Sequence, residues 1–260
     1  KVVQTETGPQ IQASVTKETV FKLKTDAKAL NNTVFYHGTN TSGITSDNID
    51  SSFTKIESLF GRGVYLTDEK SIADGYAKAR SRKEGAPEVY EVKLDVKNVL
   101  DLEQPASPDV REVIKAAADE WGGYWDFYTQ GEDIVDEFGV PRPTPFANKL
   151  NDPTATTEVL LLEFTKELAE FSGQEGVSST EFEDTFSRLE DAFSAIGFDA
   201  LTHTGGKRTN KKPHQVVIVL NPQRNKGRIK SIGPVRQELE TGVTKEAPAA
   251  AKPVNNKTLF

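Results

Sequence analysis

Two short glycine-containing runs in the first third of the chain constrain its fold most. Residues 34–39 read VFYHGT, and their aromatic and β-branched side chains predict a strand that ends at a glycine. Residues 60–67 read FGRGVYLT, which predicts a glycine-rich turn leading into a second short strand. Apolar residues at helical spacing over 72–77 predict a helix directly afterwards. This order of strand, strand and helix can bring His37 and Tyr65 to one pocket.

The rest of the chain adds strands and helices that together indicate an α+β protein. Residues 89–96 alternate with period two, and residues 216–220 form a continuous apolar run, so both spans are predicted strands. Residues 98–102 are predicted to continue the first of these strands. The span 104–196 carries helix signals, including a capping box from Ser178 to Glu181.

Charge is distributed unevenly along the chain. Residues 104–196 hold 20 Asp and Glu against 6 Lys and Arg, which predicts an acidic helical insertion. Residues 197–236 hold nine Lys and Arg against a single acid, Asp199. The whole chain has a formal charge of −7, which disfavours a general nucleic-acid-binding protein.

Composition predicts a flexible arm over 1–19, one domain over 20–236 and a disordered linker or tail over 237–260. The sequence contains no cysteine, which excludes disulfides, zinc–thiolate sites and a cysteine nucleophile. Because no apolar run reaches the roughly 18 residues of a membrane span, we expect a soluble protein. The absence of methionine, even at position 1, indicates a piece of a longer polypeptide.

The two runs resemble the NAD-binding signature of ADP-ribosyltransferases, in the branch shared by diphtheria toxin and the poly(ADP-ribose) polymerases. That signature begins with a histidine followed by glycine and a small hydroxyl residue, which His37, Gly38 and Thr39 match. It continues with a glycine-rich entry to a tyrosine and another tyrosine eleven residues later, which Tyr65 and Tyr76 match. The resemblance implies a split, mainly antiparallel β-sheet with NAD bound in the cleft between its halves.

The resemblance also implies a role for each matching residue. His37 would hydrogen-bond the hydroxyls of the adenosine ribose, with Thr39 as a polar contact nearby. Gly38 would offer its backbone groups to the nicotinamide carboxamide. Tyr65 and Tyr76 would stack on the two faces of the nicotinamide ring, where area burial and the ring quadrupole favour a flat cation. The remaining expected NAD-binding positions are Gly63 and Ala73. At position 73 the family usually has a serine that contacts the nicotinamide amide.

The third motif of the family is a glutamate on a later strand, which stabilises the positive charge that develops on the ribose. The candidate strand, 214–222, places Gln215 or Val216 at this position, and Gln215 is the polar choice. The expected catalytic residues are therefore His37, Tyr65 and Gln215. A glutamine carries no charge, so formation of poly(ADP-ribose) chains is not expected.

The acidic residues of the insertion are expected to form mainly a solvated face. Glu158 and Glu163 are the two alternatives among them for supplying the missing carboxylate.

The segment Thr202–Pro213 is predicted to be a basic loop in front of the third-motif strand. In the family the corresponding loop meets the acceptor, so we expect this one to dock an acidic protein target. Nucleic acid is the second alternative, and the lack of interleaved aromatic residues disfavours it. A solvated hairpin loop with no partner stays open beside both of these.

The resemblance implies a mono-ADP-ribosyltransferase that transfers ADP-ribose from NAD to a protein and releases nicotinamide. Two alternatives stay open: an inactive NAD-site fold that serves as an interaction module, and an NAD glycohydrolase with water as the acceptor. NAD is the expected co-substrate, and no metal site is predicted. A toxin, an effector or a virion-delivered protein would fit this activity, whereas the oligomeric state is left open.

Overall fold

A computed structural model describes residues 23–50, 60–82, 85–119, 134–135, 141–142, 145–175, 179–207, 212–221 and 227–235. The predicted arm and tail lie outside these residues. The strands are β1 Val34–Thr39, β2 Val64–Thr67, β3 Glu88–Leu94, β4 Val99–Asp101, β5 Ile134–Val135, β6 Pro141–Arg142, β7 Ala200–Gly205, β8 His214–Val219 and β9 Ile229–Pro234. The helices are α1 Ala27–Asn31, α2 Lys70–Ser81, α3 Pro108–Asp119, α4 Pro145–Asn151, α5 Thr157–Glu175 and α6 Ser179–Ala195.

The described strands form a seven-stranded sheet in the order β4-β7-β8-β2-β1-β3-β9, beside a small β5-β6 hairpin. Neighbours in the large sheet are antiparallel, apart from the parallel pair β4 and β7. The expected coarse class, an α+β protein with a mainly antiparallel sheet, is therefore confirmed. The helices α3 to α6 lie between β4 and β7 in the chain, within the span for which the sequence predicted helices.

The two halves of the sheet meet at a short ladder between β1 and β2. Tyr36 opposite Thr67 is the one registered pair along these described strands, whereas β1 pairs with β3 through six residues. Beyond that pair the imidazole of His37 bridges the strands, with Nδ1 at 3.0 Å from the carbonyl oxygen of Tyr65. A side chain thus takes the place of backbone pairing at the junction between the two halves.

The sheet has a core on each face. Apolar side chains of α3 to α6 pack on one face, together with Phe60, Leu201 and Ile218. The opposite face packs α1 against alternate strand residues, among them Val217 and Val219. Since successive side chains of a strand point to opposite faces, the position of a β8 residue in the sequence decides which core it joins.

Residues 98–102 do not continue β3. The segment Val99–Asp101 is a separate strand, β4, which lies parallel to β7 at the far edge of the sheet. Asp199 fixes the chain between β3 and β4: its Oδ2 accepts hydrogen bonds from the backbone N–H groups of Lys97 and Asn98, at 2.6 and 3.1 Å. The carboxylate thereby satisfies two amides that a continuous strand would have paired with a neighbour.

Candidate functional site

A cavity of about 340 Å³ opens beside the β1–β2 junction. Its walls come from β1, β2 and α2 on one side, and from β7, β8 and the first turn of α5 on the other. This volume lies in the range of about 300–1,000 Å³ found for small-molecule sites. The cavity is therefore lined by residues of both glycine-containing runs, of the helical segment between β4 and β7, and of the β7–β8 hairpin.

Five of the predicted site residues line this cavity: His37, Gly38, Tyr65, Ala73 and Tyr76. They come from β1, β2 and α2, three elements separated in the sequence. The order of strand, strand and helix thus brings the histidine and both tyrosines to one place.

The protonation of His37 follows from its hydrogen bond. A carbonyl oxygen only accepts, so the Nδ1 facing the Tyr65 carbonyl carries the hydrogen. Burial is the main cause that lowers the pKa of His37 below 6.5, and the charge of Arg80 lowers it further. At neutral pH the ring is therefore neutral, with the lone pair on Nε2. Nε2 is then a hydrogen-bond acceptor suited to a hydroxyl group.

The two tyrosines differ in how they are held. The Tyr65 hydroxyl donates to the carbonyl of Gly61 at 2.9 Å, and its ring packs on the helical core. Tyr76 lies on α2 and is 60% exposed. An aromatic ring exposed at a cavity is available to stack on a ligand, because burying it removes apolar area from water.

The packing of α2 on β1 requires a glycine at position 38. A Cβ on Gly38 would lie 2.0 Å from the carbonyl oxygen of Ala73. The backbone of α2 therefore rests directly on β1 at this point, and it positions the helix that carries Tyr76. Ala73 itself is 1% exposed, so its side chain is part of this contact.

Thr39 and Gly63 were predicted to bind NAD, but they lie outside the residues that line the cavity. Thr39 is buried, and its Oγ1 accepts from the backbone N–H of Thr41 at 3.2 Å. A Cβ on Gly63 would lie 2.3 Å from Cγ2 of Ile218 on β8. Thr39 and Gly63 therefore contribute to the backbone packing beside the cavity and do not line it.

Gln215, which the sequence placed among the catalytic residues, does not line the cavity. The structure does not place its side chain in the cavity: it is fully buried on the other face of β8. The side-chain amide bonds the backbone N–H and C=O of Lys24, and its Nε2 donates to Oγ1 of Thr202 at 2.9 Å. The neighbours His214 and Val216 face the cavity, as alternation along the strand requires. Gln215 anchors the chain near Lys24, and Val216 is the residue directed at the site.

The cavity also contains residues that the motifs did not indicate. All three histidines of the chain line it, because His203 and His214 join His37. His203 was missed because it falls in the predicted loop, whereas Thr202–Gly205 belongs to β7, where His203 lies opposite Val216. His214 begins the strand that was predicted from residue 214, but no motif singled it out. Reading residues 200–205 as a strand would have revealed His203, because it shares a face with Gly205 and Leu201.

His203 is 8% exposed, and its Nδ1 has no hydrogen-bond partner within the described part of the chain. Burial lowers the pKa of His203 to about 4, so the ring is neutral at neutral pH. It packs edge-on against Phe60 at a centroid distance of 4.6 Å. His214 donates from Nδ1 to the carbonyl of Lys212 at 3.0 Å, since that oxygen can only accept. Buried imidazole nitrogens at a cavity are candidate contacts for ligand hydroxyl groups.

Arg80 adds a positive charge to the wall formed by α2. Burial lowers the pKa of its guanidinium, while interaction with Tyr76 opposes that effect. Arginine nevertheless stays charged at neutral pH. No carboxylate within the described segments forms a salt bridge with Arg80. A half-buried cation of this kind favours an anionic group in the cavity.

The opposite wall carries a linked set of charges. Lys207 Nζ lies 2.9 Å from Oε1 of Glu103 and 3.3 Å from Oε2 of Glu158. Glu103 Oε1 also accepts from the backbone N–H of Thr204 at 2.6 Å. Glu158 and Lys207 line the cavity, whereas Glu163, the other predicted alternative, does not.

The basic loop is shorter than predicted and its described charges are already paired. Lys207 contacts Glu103 and Glu158, and Lys212 lies 3.4 Å from Glu69. The central residues 208–211 lie outside the described segments. Docking of a target through this loop therefore stays a prediction.

No group of three or more histidine and carboxylate side chains that could hold a metal is found within the ranges that the structure describes. Those ranges also contain no helix long and apolar enough to cross a membrane. Comparisons of the chain with protein-family models, with curated proteins and with solved structures find no match.

Proposed function

We propose that the cavity binds NAD and that the protein transfers ADP-ribose to a protein acceptor, with release of nicotinamide. One observation carries the proposal: His37, Gly38, Tyr65 and Tyr76, which the motifs select from separate parts of the sequence, line one cavity. A motif match by chance would not require these residues to meet.

The chemistry of the wall suits the parts of NAD. The neutral His37 offers Nε2, for which the described contacts show no partner, as an acceptor for a ribose hydroxyl. Tyr65 and Tyr76 offer aromatic surface to the flat nicotinamide cation. Arg80 is a cation without a carboxylate partner among the described residues, and it suits the diphosphate. Arg80 thus suits an anionic group, while the aromatic rings suit a cation.

The reaction demands positioning more than acid–base chemistry. Nicotinamide leaves as a neutral base, and the ribose passes through an oxocarbenium-like state that an acceptor then attacks. A site that fixes the dinucleotide and excludes alternative geometries lowers the barrier by orientation alone. Stacking and hydroxyl contacts of the kind described above would supply that orientation.

The direct test is incubation of the protein with NAD and a cell lysate. We expect nicotinamide release, measured by chromatography, and a mass increase of one ADP-ribose unit on an acceptor protein. Tyr76→Ala is the sharpest variant because the exposed side chain can be removed with little effect on folding. Loss of a stacking partner should weaken NAD binding by about tenfold, which corresponds to about 1.4 kcal/mol.

Tyr76→Phe is the matched control, since it keeps the ring and should bind NAD about as well as the wild type. His37→Ala should abolish labelling by removing the ribose contact and the bridge to Tyr65. Full labelling by both His37→Ala and Tyr76→Ala would contradict the proposal.

A second candidate is NAD binding without transfer, and β8 provides the observation that favours it. Of the two candidate third-motif positions, Val216, an apolar residue, faces the cavity, and Gln215 faces away. If NAD binds but neither nicotinamide nor labelled protein appears, this second function is the correct one. Nicotinamide release without labelling would instead indicate hydrolysis.

A further inference from the structure

Glu158 is the one carboxylate among the described residues that line the cavity. It belongs to the acidic insertion, far in sequence from both glycine-containing runs. Its side chain is 18% exposed, so most of it is shielded from solvent. A shielded carboxylate at a ligand cavity exerts a stronger field than one on an open surface.

The backbone fixes Glu158 at the cavity wall. It lies in the first turn of α5, and its N–H donates to the carbonyl of Leu102 at 2.7 Å. The preceding N–H, of Thr157, donates to the carbonyl of Gln104 at 3.1 Å. These bonds tie the start of α5 to the segment after β4, which pairs with β7. Glu158 is therefore held in a fixed position relative to β4 and β7, and β7 contributes to the same wall of the cavity.

Among the described side chains in contact with Glu158, the charges leave a negative excess. One ammonium group among them, that of Lys207, serves two carboxylates, Glu103 and Glu158. Glu103 is the closer of the two and is also held by the Thr204 amide. The three side chains together carry a net charge of −1. Of the two carboxylates, Glu158 is the one that lines the cavity. Among the described contacts no backbone N–H donates to the Glu158 carboxylate, whereas Glu103 accepts from the Thr204 amide.

We propose that Glu158 is the catalytic carboxylate of this site and stabilises the positive charge that develops on the ribose. This rests on the proposed function and adds to it the source of the negative charge, which β8 does not supply. The bond between the nicotinamide nitrogen and C1′ breaks, and nicotinamide leaves with both electrons. The acceptor's lone pair forms the new bond to C1′, and its proton is released to solvent. Glu158 acts throughout as a fixed negative charge that stabilises the cationic ribose.

Glu158→Gln tests the proposal, because it removes the charge while it keeps the shape and the backbone bonds of Glu158. Removing one electrostatic contact to a transition state lowers kcat by about 100-fold or more. We expect that loss in nicotinamide release, while the Kd for NAD, measured by calorimetry, changes by less than about threefold. Glu163→Gln is the matched control: it lies on the same helix, outside the cavity, and should behave as the wild type.

The outcomes separate this proposal from the one on which it rests. If Glu158→Gln releases nicotinamide within about threefold of the wild-type rate, Glu158 is not catalytic, while NAD-dependent activity stands. If the wild-type protein neither binds NAD nor releases nicotinamide, both proposals fall. If Glu158→Gln does not fold, Glu158→Asp replaces it. Withdrawal of the carboxylate by one methylene should lower kcat about tenfold, and an unchanged kcat in folded Glu158→Asp would overturn the proposal.

Discussion

His203 makes the stability of the folded protein depend on pH in a way that can be measured. Its ring is buried against Phe60, and that burial lowers its pKa from 6.5 to about 4. The carboxylate of Glu103 favours the charged ring, whereas Lys207 and His214 oppose it. In the unfolded chain the ring regains its ordinary pKa, so protons bind more tightly to the unfolded state.

The sign and size follow from this difference. Well above pH 6.5 both states hold a neutral ring, and His203 contributes no pH dependence. Between 6.5 and about 4 the unfolded state binds the extra proton, so stability falls as the pH falls. A pKa lowered from 6.5 to about 4 corresponds to about 3 kcal/mol of stability, of which about 2 kcal/mol is lost by about pH 5.

The assay is urea unfolding at about pH 7.5 and about pH 5, for the wild type and for His203→Leu. Absolute stabilities differ because the substitution alters packing, so the informative quantity is the change between the two pH values. All other groups titrate in both proteins, and we expect the wild type to lose about 2 kcal/mol more than the variant. Equal losses in the two proteins would refute the argument that burial keeps His203 neutral.

Three further substitutions test the structural account. Gln215→Leu should lower the free energy of unfolding by about 1–3 kcal/mol, because it leaves the Lys24 backbone groups unpaired. Its NAD binding should stay unchanged, and a selective loss of binding in a fully stable variant would return Gln215 to the site. Gly38→Ala should cost about 1–3 kcal/mol through the contact with the Ala73 carbonyl, seen as a lower Tm, and an unaltered Tm would contradict that contact. Arg80→Gln should raise the Kd for NAD about tenfold at low salt but leave the Kd for nicotinamide riboside unchanged, and equal effects on both ligands would exclude a diphosphate contact.

Elements with a strong local pattern were predicted well from the sequence. The alternating run at 89–96 forms most of β3, and the apolar run at 216–220 forms most of β8. Serine followed by proline at positions 107 and 108 is likewise a local signal for a helix start, and in the structure the Ser107 hydroxyl accepts from the N–H of Val110 at the start of α3. In each case the pattern lies within the segment itself, so the element could be predicted without knowledge of its tertiary contacts.

Elements that depend on distant partners were harder to predict. Thr202–Gly205 is polar and followed by a basic stretch, so it was predicted to be loop, yet it pairs with both β4 and β8. The residues at 99–101 were predicted to extend β3, whereas their strand partner is Ala200–Thr202. No local feature states which strand a short segment will join, because the pairing is decided by burial between elements about 100 residues apart.

The sequence by itself determined the inventory of the site: a histidine and glycine at a strand end, a tyrosine in a glycine-flanked strand, and a second tyrosine on the next helix. Those residues meet because each is placed by its own short element. The tertiary structure alone decided which carboxylate and which histidines join them. Gln215 faces away because the register of β8 with β2 and β7 assigns it to the other face. Glu158 reaches the cavity because the insertion packs against that sheet, and such a contact leaves no periodic trace in the sequence.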